Sequence, residues 1–90
     1  MEILNSNRKG KRFVAVFANG TKVHFGQQGG RTYIDHGDKK KRDAYLARHS
    51  MNREDWGNPY SAGALSRWIL WGPSESINNN IALFKQIFKV

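Results

Sequence analysis

Two histidines and three aspartates surround four consecutive cations in YIDHGDKKKRDAYLARHS, residues 33–50. Histidine with aspartate can hold a divalent metal or activate water, which is the chemistry of a metal-dependent nuclease. The groups available for it are Asp35, His36, Asp38 and His49, with His24 as a more distant addition. The spacing Asp35-His36-Gly37-Asp38 matches no metal motif with a defined ligand geometry. Asp35 and Asp38 suit a turn and a helix cap. His49 falls one helical turn after Tyr45, where a helix-face residue donating a hydrogen bond is the plainer reading.

The cations are harder to explain by folding. Lys39, Lys40, Lys41 and Arg42 fall in the first turn of a predicted helix. That end carries partial positive charge, so each cation there costs about 0.3–1 kcal/mol at the surface. Phosphate binding would account for them, with free amides and four side chains converging on one anion. Asp38 and Asp43 temper the charge. A second cluster, Arg8, Lys9, Lys11 and Arg12, lies in NRKGKR, where Gly10 makes the chain pliable. Such an arm can follow a DNA backbone or enter a minor groove; alternatively its charges guard the apolar strand that follows. Lys22 and Arg31 would assist. The loop GQQGGR lacks the spacing of a phosphate-binding loop and reads as a turn, although adjacent glycines can bring amides near a phosphate.

Aromatic residues interleave with these cations, and Trp56, Trp68, Trp71, Tyr33, Tyr45 and Tyr60 could stack on bases. In ALSRWILW, however, Trp68 follows helical spacing and belongs to a core. Trp71 lies past the flank of that stripe and is expected to be partly exposed. Trp56, beside Arg53, Glu54 and Asp55, is expected to plug the core from a loop. Gly63 inside a helix costs about 1 kcal/mol relative to alanine and suggests close packing. Arg67 could pair with Glu54 or Asp55.

These groups need a scaffold. RFVAVFANGTKVHFG predicts a β-hairpin, because Asn19-Gly20 suits a type I′ turn. Val23 and Phe25 share one face of its second strand, Lys22 and His24 the other. The first strand is apolar on both faces, so both should be covered. A hairpin is not stable alone; it must pack on helices or gain a strand, for which residues 31–34 are a candidate. A helix is predicted over 39–49 with Asp38 as N-cap. A second is predicted over 62–71 after Ser61, with Ala64, Leu65, Trp68 and Ile69 inward. The third is predicted over 73–88, with Pro73 first, Glu75 in the first turn, and Ile77, Ile81, Phe84 and Phe88 in a stripe widened by Ile87. The expected fold class is α+β: a hairpin on about three helices, with residues 1–11 a flexible basic arm and 12–90 one compact domain.

Totals narrow the functions. Ninety residues make one domain, and the absence of cysteine excludes disulfides and thiolate metal sites. No apolar run approaches the roughly 20 residues of a membrane span, and no signal-peptide core is visible, so an intracellular protein without membrane contact is expected. Net charge is +8, and all of the excess lies between Arg8 and Arg48, with 11 basic against 3 acidic residues. Such asymmetry is the usual footprint of a polyanion binder.

The runs FANGTKVHFGQQGG, YIDHGDKKKRDAYLARH and NREDWGNPYSAGALSRWILWG resemble an uncharacterised family of short basic proteins encoded by giant and other large double-stranded DNA viruses. The resemblance spans residues 13–72; the tail beyond matches in character only. It implies a viral protein of the host-cell interior (cytoplasm, nucleus or viral factory) or packaged in the virion, and favours genome handling or virion structure over metabolism. The expectation is a non-enzymatic accessory protein without a cofactor. It would bind nucleic acid, double-stranded DNA first, through phosphates with little sequence specificity. The contacts would be Arg8, Lys9, Lys11, Arg12, Lys22, Arg31, Lys39, Lys40, Lys41 and Arg42. The alternatives are a virion module that meets acidic proteins and a metal-dependent nuclease.

Overall fold

The structure, a computed structural model, describes residues 1–51 and 55–90. Three antiparallel strands, β1 (Glu2–Asn5), β2 (Lys11–Val16) and β3 (Lys22–Gln27), form one sheet in the order β1-β2-β3. Helices follow: α1 (Tyr33–His36), α2 (Lys39–Met51), α3 (Ala62–Leu65) running into a π-helical turn (Ser66–Leu70), and α4 (Ile77–Phe88). The class is α+β, as the hydrophobic periods imply.

The third strand comes from the other end of the hairpin. Residues 1–11, expected as a loose arm, contain β1, which pairs Ile3 with Ala15 and Leu4 with Val14. Ile3 and Met1 turn inward against the core, and that burial holds the segment. Residues 31–34 do not form a strand. The Thr32 amide and hydroxyl both donate to Asp35 Oδ2 at 2.8 and 2.9 Å, which starts α1 instead. Gly37, at φ +63°, ends it.

The β2–β3 hairpin is present with a different turn. Phe17 N donates to Thr21 O and Gly20 N to Phe17 O, so the loop has three residues. Gly20 has φ +89°, while Asn19 is not among the residues with positive φ. This is a type I turn closed by a left-handed glycine, not type I′. Asn19 Oδ1 instead accepts the Thr21 amide.

α2 begins at the predicted place, with the Lys40 and Lys41 amides donating to Asp38 Oδ1 at 3.0 and 3.3 Å. The Ser61 cap also holds, accepting from the Ala64 amide. The 62–71 helix changes pitch at Ser66, and the Trp71 amide reaches back five residues to Ser66 O. Pro73 does not open α4, and Glu75 lies outside it. The helix starts at Ile77, capped by Ser76 Oγ, which accepts from Asn79 N. The intervening turn is held by buried Asn80: Nδ2 donates to Ile69 O and Ser74 O, and Oδ1 accepts from Ser74 N. That competing network outweighs proline's preference for a first helical turn. Ile87 is exposed and does not widen the stripe.

Ala15, Phe17, Phe25, Leu65, Ile69, Leu70 and Phe84 form the core, between one face of the sheet and the helices. The outer face was expected to be covered as well. Val14 is 8% exposed because Leu4 and His24 flank it across the ladder. Otherwise this face is a shallow groove of about 330 Å³, lined by Leu4, Asn5, Asn7, Val14, Val16, Lys22 and His24. Among the described residues, no helix is long and apolar enough to cross a membrane.

Candidate nucleic-acid interface

The fold separates the predicted cations into groups with different work. Arg12 makes a two-pronged ion pair with Asp35, with both contacts at 2.7 Å. The hydrogen bond from Arg12, with help from Thr32, holds the Asp35 carboxyl well below the usual carboxylate range despite desolvation. The same bond raises Arg12. This pair ties β2 to α1.

Arg42 is also committed internally. Its Nε donates to the carbonyls of Trp71 and Gly72 at 3.1 and 3.0 Å, and its guanidinium lies 5.7 Å from the Tyr33 ring centroid. A cation misplaced at the start of its own helix thus caps the end of another, where carbonyls lack partners. Gly72 is required there, because a Cβ would collide with Trp68 O and Asn80.

Four cations converging on one anion at the start of α2 is therefore not what the helix presents. Asp38 occupies the amides of Lys40 and Lys41. Side chains of consecutive helical residues also fan out by about 100° each. Lys39 and Lys40 project into solvent, Lys41 turns to one side and Arg42 to another.

What the fold does bring together is a different set. Arg31 before α1, Lys41 and Arg48 on α2, with His36, Ala44 and Trp71, line a cleft of about 290 Å³. Among the described residues no carboxylate lines it, and none of the three cations has an ion pair. Lys41, Ala44 and Arg48 are spaced i, i+3, i+7 and share a helix face. That spacing was visible in the sequence, yet Arg48 was not among the expected contacts. Arg31 reaches the cleft because the glycine loop turns just before it, with Gly30 N donating to Gln27 O and Gly29 at φ +81°.

The cleft wall is rigid. Trp71 stacks on Tyr45 with centroids 4.3 Å apart and planes 5° from parallel, and Tyr45 stacks on His49 at 4.0 Å. His36 meets Trp71 edge-on at 5.5 Å. The Asp38 amide donates to His36 Nδ1 at 2.9 Å, so the ring proton sits on Nε2. His36 Nε2 is shielded from water and has no hydrogen-bond partner among the described residues.

A second concentration surrounds His24 on the outer sheet face. Burial and the charges of Arg8, Lys11 and Lys22 lower its affinity for protons. Ser6 Oγ and His24 Nδ1 share a hydrogen bond of 2.7 Å. Arg8, Lys9 and Lys11 lie in or beside the β1–β2 turn, exposed.

The aromatic residues are mostly structural. Trp68 packs against the core, and its Nε1 donates to Trp56 O at 3.3 Å. Arg67 lies over Trp68 at 4.1 Å and Trp56 at 5.3 Å; desolvation, then the charge of Arg42, lowers its proton affinity. The expected Arg67 pairing with Glu54 lies outside the described residues, as does Arg53. The metal constellation does not assemble: Asp35 is bound to Arg12 and Thr32, and Asp38 to helix amides. Among the described residues no three His, Asp or Glu could hold an ion.

Residues 1–49 match the family of unknown function DUF5754. An uncharacterised protein of Acanthamoeba polyphaga mimivirus is 36% identical over 80 residues, covering 79% of this chain and 80% of that protein. The resemblance to giant-virus proteins read from the motifs is thus borne out. No solved structure matches.

Proposed function

The chain belongs to the DUF5754 family, and from that premise we propose that it is a nucleic-acid-binding accessory protein that grips the phosphate backbone, double-stranded DNA first, with little sequence specificity. One observation carries the reading: Arg31, Lys41 and Arg48, from two separate segments, meet in one cleft that no carboxylate of the described residues lines. Like charges held together repel, and folding alone gives no return for that cost; a phosphate does. Lys39 and Lys40 extend the surface along α2, and Arg8, Lys9, Lys11 and Lys22 add a second patch. Arg12 drops out of the contact set because Asp35 engages both its terminal nitrogens, and Arg42 because the Trp71 and Gly72 carbonyls hold its Nε and turn the guanidinium toward Tyr33. No groove-reading motif is visible in the sequence, which favours backbone contact over base readout.

Fluorescence anisotropy with a labelled duplex tests this. Engagement of six to ten phosphates predicts an affinity loss of about 10³–10⁵ between 50 and 200 mM salt. Affinity indifferent to salt overturns the reading.

The outer sheet groove supports a second reading, a module that meets acidic virion proteins, because Leu4 is 49% exposed beside Lys22. Capture of such partners that persists after nuclease treatment would favour it.

A further inference from the structure

The cleft is richer than a backbone phosphate requires. A phosphodiester carries one charge and two free oxygens. A terminal phosphomonoester carries about −1.5 to −2 at pH 7 and three acceptor oxygens. Facing that space are three cations from two segments, Arg31, Lys41 and Arg48, none with an ion pair among the described residues. His36 and Ala44 complete the lining between these cations. Trp71, fixed by its stack on Tyr45, gives the cleft a rigid apolar side.

We infer that the Arg31–Lys41–Arg48 cleft is a site for a phosphomonoester, and that its source is the phosphorylated end of a nucleic-acid strand. This rests on the backbone-binding reading: the lysines along α2 and the β1–β2 turn hold the strand while the cleft receives its terminal phosphate. Three cations then face three oxygens and nearly two charges. An internal phosphate, esterified on both sides, leaves part of that set unused.

The test compares otherwise identical oligonucleotides, single-stranded and duplex, carrying a 5′-phosphate, a 3′-phosphate or hydroxyl ends, at 150 mM salt. The expected result is about tenfold tighter binding of a phosphorylated end, the effect of one further charge-assisted contact. Arg48→Ala and Lys41→Ala, both at exposed helix positions, should each abolish that difference while retaining the helical circular dichroism of the parent. Inorganic phosphate and a nucleoside monophosphate are added as competitors. Displacement only at millimolar levels assigns the source to a strand end, whereas a free nucleotide binding as tightly as the phosphorylated strand overturns that assignment. Equal, salt-dependent binding of phosphorylated and hydroxyl ends overturns the inference and leaves backbone binding intact. Absence of binding to every oligonucleotide removes both. A preference that survives both substitutions, with the fold intact, also overturns it, because the phosphate would then be read elsewhere.

Discussion

Two arginines and a cluster of three cations sit within a few turns of each other and do opposite things. Arg12 and Arg42 reach inward: one closes on Asp35, the other on the carbonyls of Trp71 and Gly72. Arg31, Lys41 and Arg48 face a cleft with no anion among the described residues. Positive charge in the sequence is therefore not one property. Part of it assembles the fold, and part is left unmatched at a cost that points to an external anion. Lys41 and Arg42 are adjacent, yet helical geometry sends them to different tasks.

That contrast can be broken from either side. The largest effect should come from the double reversal Lys41→Glu with Arg48→Glu. Two lost phosphate contacts lower log affinity by roughly 0.9 each per decade of salt, about 100-fold at 50 mM, and the added repulsion deepens the loss. Thermal melting should not fall: relief of repulsion and an acid in the first turn of α2 offset the cation lost from its last turn. Arg42→Ala should do the reverse, removing about 1.5–3 kcal/mol of stability through two uncapped carbonyls, seen as a lower midpoint in denaturant. Its salt slope for DNA should match the parent.

Asp35→Asn ranks third. The partly exposed Arg12 pair is worth about 1 kcal/mol, which thermal melts at pH 7 should register. The sign follows from the direction of the shift. Asp35 is depressed in the folded state, so its stabilisation is present above the unfolded value of about 3.9 and fades as pH falls toward the folded one. The parent and Asp35→Asn melting temperatures should converge in acid; a constant gap would show that the pair does not titrate this way. Smallest is Lys9→Ala in the β1–β2 turn. It should reduce the salt slope by about 1, uniformly across sequences, without touching stability.

The same contrast shows how much was legible beforehand. Local rules were sufficient where one segment decides the outcome, as with the Asp38 and Ser61 caps, the β2–β3 hairpin and the stripe through Phe84. They failed where a distant partner decides. β1 was hidden because four residues, EILN, carry little strand signal until Ile3 meets the core. The start of α4 moved because Asn80 binds the preceding turn from inside the helix it belongs to. At the site, charge asymmetry marked the basic half, and the fold divides the cations at the start of α2: Arg42 binds the Trp71 and Gly72 carbonyls, and Lys41 lines the cleft. Arg48 could have been found from its i, i+7 relation to Lys41. Arg31 joins them only through the glycine turn and α1.

The central claim is that the unmatched cations of the cleft bind phosphate. The most direct measurement is the slope of log affinity against log salt for one DNA duplex, in the parent and in the Lys41→Glu, Arg48→Glu double variant. Six to ten phosphate contacts predict a parent slope of about −5 to −9, shallower by about 2 in the variant. Equal slopes in the two proteins, or a parent slope near zero, would contradict the account.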